Sequence, residues 1–464
     1  MMYSMEKQHG SPFALANVRR FIAFRVFFNA RFYYPVFTIL FLDYGLSIEQ
    51  FSLLNTVWAF TIVLAEIPSG ALADLIGRRR LLITTSFCMV AEMGLIAFVP
   101  LGNSALVFSV FLANRILSGL AEAMASGADE AMAYDTLVSQ GDPGDWPRVL
   151  DIQMRMQHAG YLVAMTVGAA VYDPGTVNRV LHWLGWSIEL GQQDTMRFPV
   201  YLTLLLALLA CGTTLGMRDP KPGAPAVLAG GPMARTGQAF RITLTAGGWI
   251  LQTPFAMAVI LFGMAFDHVL RMLVTMTSQY FRLIGLPEAS FGLIGSAVAL
   301  LGLVVPRIAR AMVEGNSPGR NLCWVGGIAL VAVWGLTLFV PWLGLLPMML
   351  VFVAMMFTSF FTSHYLNAIA DSGQRATVLS FKGLAFNAAY GLIGILYAAL
   401  IVRLRHRQEM LHPGAVRTLV ENEAFRQSIG WFPWYLLVAL TVVFLVWRWR
   451  SRAISGETGQ AGKG

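Results

Sequence analysis

Along this chain, runs of about 20 apolar residues recur between short polar connections, and that is the length a helix needs to cross a bilayer. Twelve such runs are visible, at roughly 20–42, 50–72, 81–100, 104–126, 149–172, 198–217, 250–281, 290–312, 321–341, 345–368, 378–401 and 431–449. The pattern predicts an all-α membrane protein of twelve transmembrane helices. The fifth run is the weakest, because Arg155 and His158 interrupt its first half. Between the sixth and seventh runs, residues 218–248 are rich in Pro, Gly and Ala with a few basic residues, a linker composition. The expected organisation is a six-helix bundle over 1–217, a cytoplasmic linker over 218–248, a second six-helix bundle over 249–450 and a cytoplasmic tail over 451–464.

Composition agrees with the pattern. Of 464 residues, 56% are hydrophobic and 12% charged, against about 25% charged in a soluble domain. Mean hydropathy is +0.62. The net charge of +8 is therefore no sign of nucleic-acid binding. Most of the excess lies in connections on one side, at Lys7, Arg19, Arg20, Arg78 to Arg80, Arg218, Lys221, Arg235, Arg241, Arg320, Arg375, Arg448, Arg450 and Arg452. The opposite connections near 43–49, 101–103 and 342–344 carry no Lys or Arg. By the positive-inside rule both termini are cytoplasmic. The exception is the segment 402–430, with Arg403, Arg405, Arg407, Arg417 and Arg426 on the outer side. Trp183 and Trp186 are placed at the membrane interface. The first 20 residues lack an apolar core with a cleavage site, so the first helix is expected to serve as the insertion signal. Cys88, Cys211 and Cys323 fall inside apolar runs, with no disulfide framework or metal-ligand spacing, and neither metal nor cofactor is expected.

The two halves look like copies. A gapless shift of 240 residues pairs Arg31 with Arg271, Phe41 with Phe281, Gly45 with Gly285, Leu46 with Leu286, Phe51 with Phe291, Asp74 with Glu314 and Arg80 with Arg320. The first helix through the second connection thus repeats as the seventh helix through the eighth connection.

Ionisable groups at membrane depth cost at least about 2.5–3.5 kcal/mol each, so each needs a partner or a task. They include Arg25, Arg31, Glu92, Arg115, Glu122, Asp267, His268, Arg271, His364 and Lys382. Arg31 sits near the middle of its run, and positions i−4 and i+4 are Phe27 and Pro35, so its partner must come from another helix or from a substrate. Arg271 has Asp267 at i−4, an orientation that suits a local ion pair. Two readings remain open. Arg31 and Arg271 together form a cationic clamp for carboxylate or phosphate, or Arg271 pairs with Asp267 while Arg31 pairs with Glu92 or Glu122. Glu92, Glu122 and Asp267 are the proton-site candidates, with His268 next, because burial and a nearby arginine pull a carboxylate's proton affinity in opposite directions. Phe27, Phe28, Tyr33 and Tyr34 offer an apolar wall, and at least two of them are expected to pack as core.

The stretch Gly70-Ala-Leu-Ala-Asp74-Leu-Ile-Gly77-Arg78-Arg79-Arg80 lies between the second and third runs. It resembles the connection between helices 2 and 3 of the major facilitator superfamily, with Leu75 where that family often has arginine. The resemblance implies two pseudo-symmetric six-helix bundles, a central substrate site between helices 1 and 7, and a gating role for Gly70, Asp74, Gly77, Arg78, Arg79 and Arg80. Arg115-Ile-Leu-Ser-Gly119 resembles the helix-4 segment associated with proton transfer in coupled members, and puts Arg115 beside Glu122 on one helix face. Ser126 to Asp135, Arg375 to Phe381 and Glu66-Ile-Pro-Ser-Gly70 resemble bacterial exporters of drugs and metabolites. Asp129, Glu130 and Asp135 are then expected to answer the basic connection 78–80. The Gly-Pro element of helix 5 common in antiporters is missing; Gly160 and Gly168 offer a small-residue packing face instead.

These expectations amount to a secondary active transporter of a bacterial inner membrane, monomeric, with a small organic, anionic or amphiphilic solute, protons and the lipid bilayer as its partners. Arg31, Arg271, Tyr34 and His268 are the substrate-binding candidates. Glu92, Glu122, Asp267 and Arg115 are the proton-coupling candidates. Proton-coupled efflux is the first reading, and uptake or exchange of an organic anion such as a siderophore or phosphorylated metabolite is the alternative. No enzyme is expected: none of the four lysines precedes Ser or Thr as a phosphate-binding loop requires, and no His-Glu-x-x-His or Gly-x-Ser-x-Gly run occurs. Asp74→Asn is expected to slow transport while leaving solute affinity largely intact; unchanged flux in proteoliposomes would remove Asp74 from the gate.

Overall fold

The computed structural model describes residues 11–126, 128–219, 237, 241, 247–369 and 375–461, and among them every regular element is helical. Most of the expected linker 218–248 lies outside the described residues. Among the described residues, ten helices are long and apolar enough to cross a membrane. The two remaining runs are the first, which is broken, and the fifth, whose helix carries Arg148, Asp151 and Arg155 in its first turns.

Two compact units emerge, Met1–Pro35 with Leu64–Gly237, and Val36–Val63 with Gln238–Gly464. The first unit contains α1 (Ala16–Asn29), and the second contains α2 (Phe37–Asp43). Helix α3 (Ile48–Ile76) runs through the boundary. The first unit continues with α4 (Arg78–Phe98), α5 (Ser104–Ala125), α6 (Ala128–Gln140), α7 (Trp146–Tyr172), α8 (Pro174–Trp183), α9 (Gln192–Thr195) and α10 (Phe198–Gly216). In the second unit follow α11 (Pro254–Thr275), α12 (Thr277–Leu283), α13 (Ser290–Gly315), α14 (Pro318–Leu336), α15 (Leu345–Ile369), α16 (Arg375–Leu411), α17 (Arg417–Ile429) and α18 (Phe432–Ala461).

The expected continuous first span is corrected at its centre. Helix α1 stops at Asn29, and helical structure resumes only at Tyr34–Val36 as a short 3-10 turn leading into α2. Pro35 explains the stop. It has no amide hydrogen, its ring conflicts with the carbonyl four residues back, which is that of Arg31, and it disfavours helical geometry at Tyr34. Freed backbone groups need partners at this depth. The Phe32 amide donates to Thr203 Oγ1 at 3.1 Å, and the Tyr34 amide donates to the Arg31 carbonyl at 3.2 Å. Gly168 of α7 makes room, since a Cβ there would collide with the Phe32 carbonyl oxygen. Gly160, eight residues earlier on α7, packs on Val26 and Ala30 of α1. The small-residue face of the fifth span therefore serves the broken segment of the first. Around this frame Phe24, Phe28, Leu82, Met89, Ala121, Met132 and Ala207 form the buried core of the unit.

The second unit shows the duplication directly. Residues 37–43 and 277–283 are both short helices, 240 apart. Each ends in a glycine of positive φ, Gly45 at +92° and Gly285 at +78°, where a side chain would be strained. The closing hydrogen bonds also repeat: Leu46 N–H to Phe41 O at 3.2 Å, and Leu286 N–H to Phe281 O at 3.1 Å. The copies meet at equivalent residues, for the Thr38 amide donates to Ser278 Oγ at 3.0 Å, and Thr38 Oγ1 donates to the Thr275 carbonyl. Asp43 then takes both terminal nitrogens of Arg282 at 2.9 Å, while Arg282 Nε donates to Glu288 at 2.7 Å. The seventh span, expected as one helix over 250–281, is interrupted at Met276 between α11 and α12.

The basic segment 402–430 is helical on either side of a turn at 412–416, and its charge is partly answered within the unit. Arg405 reaches Glu49 at 2.6 Å and Arg417 reaches Glu421 at 2.8 Å, while the Arg426 guanidinium lies 5.4 Å from the Phe339 ring.

Gly168→Val is expected to lower the unfolding temperature of the detergent-solubilised protein by several degrees, consistent with about 1–3 kcal/mol for overpacking. Gly212→Ala, at an α10 position with open space around it, is expected to leave it unchanged. Equal behaviour of the two variants would refute the close-approach role of Gly168.

Candidate functional site

The break in the first span places Arg31 at a helix end rather than on a helix face. Its side chain is 3% exposed and pairs with Glu92 of α4, which is 0% exposed. Arg31 also donates to Tyr33 Oη at 3.4 Å, and its guanidinium lies 5.5 Å from the Phe28 ring. Glu92 Oε2, the other carboxylate oxygen, is buried without a hydrogen-bond partner among the described residues. The Glu92 backbone carbonyl accepts from Asn114 Nδ2 at 2.9 Å, and Asn114 Oδ1 accepts from Arg115 at 2.8 and 3.0 Å. Arg115 is thus tied to Asn114.

Glu122 differs from Glu92. Its side chain keeps open surface although protein surrounds it on most sides, and Arg31, Glu92 and Arg25 are its electrostatic neighbours. Among the described residues no cation lies within ion-pair distance of it. Tyr34 is 41% exposed and adjoins the same group, packed edge-on against Tyr33 at 5.3 Å between ring centroids. Of the four aromatic residues of the expected wall, Phe28 and Tyr33 are buried core, Phe27 is half-buried and Tyr34 is accessible. Around Arg31, then, two carboxylates face one arginine.

In the second unit the balance is reversed. Arg271 pairs with Asp267 at 2.6 Å, donates to Asn387 Oδ1 at 2.8 Å, and lies 5.3 Å from the Tyr390 ring. Asn387 and Tyr390 are on α16, and no sequence signal singled them out. Lys382, on the same helix, has Asp267 and Arg271 as electrostatic neighbours. His268 is used structurally. Its Nδ1–H donates to the Met264 carbonyl at 2.6 Å, and its Nε2 lies 3.0 Å from the Tyr435 hydroxyl.

At the expected gating connection, Gly77 has φ +88° and caps α4. Arg78 pairs with Asp135, and Arg79 Nε donates to the Met217 carbonyl at 2.7 Å. Arg80 is exposed. Gly70 and Asp74 fall on the last turns of α3, and the Asp74 side chain lies outside the described residues. Asp129 and Glu130, expected to answer this connection, are bound instead by Arg25, whose Nε is 2.8 Å from Asp129. The physical reason is proximity: α1 packs on α6 and delivers Arg25 first.

A polytopic helical fold with charged, paired side chains at membrane depth, built as a duplication of six spans, defines a secondary transporter. A family model described as Major Facilitator Superfamily matches residues 21–402, and the chain belongs to that family. Among solved structures, the fold is similar to the nucleoside transporter NupG, with TM-score 0.66 at 13% identity over 94% of this chain and 99% of that one. It is also similar to an inward-facing bacterial homologue of the human lysosomal transporter Spinster, with TM-score 0.65 at 16% identity over 96% and 98%. A third likeness is to a D-xylose–proton symporter, with TM-score 0.62 at 14% identity over 92% and 96%. At these identities the likeness is one of fold. No curated protein sequence matches the chain at a significant level.

Removing Glu92 alone strands a buried guanidinium. Glu92→Gln is expected to destabilise the protein by about 3–5 kcal/mol, the range for breaking a buried pair. The double change Arg31→Met with Glu92→Met is expected to recover most of that loss. A thermal melt of the three proteins checks this, and a double variant no better than Glu92→Gln would show that the pair is not the unit of stability.

Proposed function

We propose that this transporter moves a small organic solute bearing an anionic group, together with protons, by alternating access. The reading is carried by one observation. Both central arginines are already held by carboxylates, Arg31 by Glu92 and Arg271 by Asp267. A solute carboxylate or phosphate reaches such an arginine only after the resident carboxylate is neutralised. Protonation does that, so proton and anion occupy the same state of the protein. Glu92 suits the part, because its second oxygen has no hydrogen bond to lose. Glu122, which keeps open surface and has no cation within ion-pair distance among the described residues, is the entry point for the proton, and Arg115 acts by fixing Asn114 against Glu92. Tyr34 offers the apolar part of the solute a ring beside Arg31, and His268 shapes the wall through Tyr435.

This arrangement favours cotransport of an organic anion over efflux by exchange, in which solute and proton compete. The efflux reading keeps one support: among the described residues no cation pairs with Glu122, and a cationic or amphiphilic solute would compete with a proton for it. We assign the protein to the inner membrane of a bacterium as a monomer with both termini cytoplasmic. The connection 70–80 stabilises one end state. The contacts that hold residues 36–63 in the second unit, above all Asp43 with Arg282 and Glu49 with Arg405, are remade in each cycle.

Glu122→Gln is expected to reduce pH-gradient-driven uptake in proteoliposomes at least tenfold while sparing solute exchange across equal pH. Retention of gradient-driven uptake would remove Glu122 from the proton path. Gradient-driven release of cations, in place of anion uptake, would favour the efflux reading.

A further inference from the structure

Lys382 stands apart from the other charges of the second unit. It is half-buried near the start of the spanning part of α16. Among the described residues no carboxylate lies within ion-pair distance of it. An ammonium without a counter-ion at such a place is costly. The ordinary resolution is a lysine that lies along lipid and carries its charge to the interface. The geometry argues otherwise. Lys382, Phe386 and Tyr390 follow one another at four-residue spacing, hence along one stripe of the helix. That stripe is turned to α11: Phe386 lies against Gly263, Tyr390 lies beneath Arg271, and the adjoining Asn387 accepts from Arg271. The Lys382 ammonium itself is 5.9 Å from the Phe386 ring centroid. It points into the protein, beside the polar group and not at lipid.

The charges around it do not balance. Arg271 and Lys382 are cations, and among the described residues Asp267 is the one carboxylate of the group. Arg271 is engaged at both ends and on its face, by Asp267, Asn387 and Tyr390. The surplus positive charge therefore resides on Lys382, with an aromatic ring next to it for an apolar body.

We propose that Lys382 is the specificity-determining residue of this transporter, binding the carboxylate or phosphate of an anionic amphiphilic solute whose apolar part lies on Phe386. The proposal rests on the anion reading given above and locates it on a different cation. Arg271 becomes a positioning residue that fixes Asn387 and Tyr390 around the ammonium.

The test is ligand-induced thermal stabilisation of the purified full-length protein in detergent. The probes are hexanoate and hexyl phosphate, their neutral counterparts hexanamide and hexanol, the cation hexylammonium, and phosphatidylglycerol as a lipid source of the same phosphate chemistry. The proteins are wild type, Lys382→Gln, Lys382→Arg, Arg31→Gln and Arg271→Gln. The two soluble anions are expected to stabilise wild type more than the neutral probes. Lys382→Gln is expected to weaken anion binding at least about tenfold, as loss of a charge-assisted contact requires, without changing the neutral probes, and Lys382→Arg is expected to restore most of it. A Lys382→Gln protein that binds hexanoate like wild type while Arg31→Gln or Arg271→Gln does not would overturn the proposal and leave the anion reading standing. Stabilisation by hexylammonium or hexanol with none by either anion would overturn both. A Lys382-dependent effect of phosphatidylglycerol without any effect of the soluble anions would overturn it too, making Lys382 a lipid contact. A second measurement needs no variant: hexyl phosphate, unlike hexanol, is expected to protect Lys382 of wild type from acetylation by an amine-reactive ester, read by mass spectrometry. Unprotected Lys382 at saturating hexyl phosphate refutes the assignment.

Discussion

The structure of the first unit depends on one interruption. A transmembrane helix can be broken only where protein, not lipid, receives the backbone groups that the break sets free. Pro35 forces the break, and two residues far along the chain make it tolerable. Thr203 takes the Phe32 amide, and Gly168 lets the Phe32 carbonyl approach α7. The consequence is chemical. In a continuous helix, Arg31 would lie on a helix face among hydrophobic neighbours. At a helix end its guanidinium meets Glu92, two buried charges that neither would survive alone.

The duplication shows which parts of this design are inherited from the repeat and which are not. Backbone devices are shared, including the short second helix, the positive-φ glycine and the bond that closes on Phe41 or Phe281. The charges are shared only in part. Arg31 and Arg271 are repeat mates, yet a shift of 240 puts Ala332 in the place of Glu92 and Phe27 in the place of Asp267. Each arginine has found its carboxylate separately, one from another helix and one from its own previous turn. That independence gives equivalent arginines different charged neighbours, Glu92 from another helix in one unit and Asp267 from the same helix in the other, a difference that strict symmetry would have forbidden.

Much of this was legible in the sequence, for definite reasons. Hydrophobic run length alone locates the spans, because the bilayer leaves a helix no other choice. The pairing of Asp267 with Arg271 is legible because i,i+4 geometry is local. Glu92 appears as one of two partners for Arg31, but choosing between Glu92 and Glu122 depends on how α4 and α5 rotate, which no local pattern encodes. The break at Arg31 had a visible cause in Pro35, and its meaning lay in Gly168 and Thr203, more than 130 residues away. Asn387 and Tyr390 were not legible at all: a neutral amide and a ring in an apolar helix look like packing until the arginine they hold is seen. Asp129 and Glu130 were misassigned for the complementary reason, since charge pattern names possible partners but only packing brings Arg25 to them first.

On the proposed reading, the pairing of each arginine also fixes a thermodynamic relation. If a proton on Glu92 frees Arg31 for an anion, then an anion on Arg31 must raise the proton affinity of Glu92 by the same factor, because coupling between two ligands is reciprocal. The anion keeps the carboxylate protonated and the proton keeps the anion bound, so the doubly occupied state is favoured over either singly occupied one. Its net charge inside the membrane equals that of the empty state, because the solute's negative charge is cancelled by the proton's positive one. A transporter that crosses the bilayer only when empty or doubly loaded avoids moving an uncompensated charge through a medium that makes such a charge expensive. On that reading the buried ion pair is the resting form of the coupling site, which the solute and the proton open together.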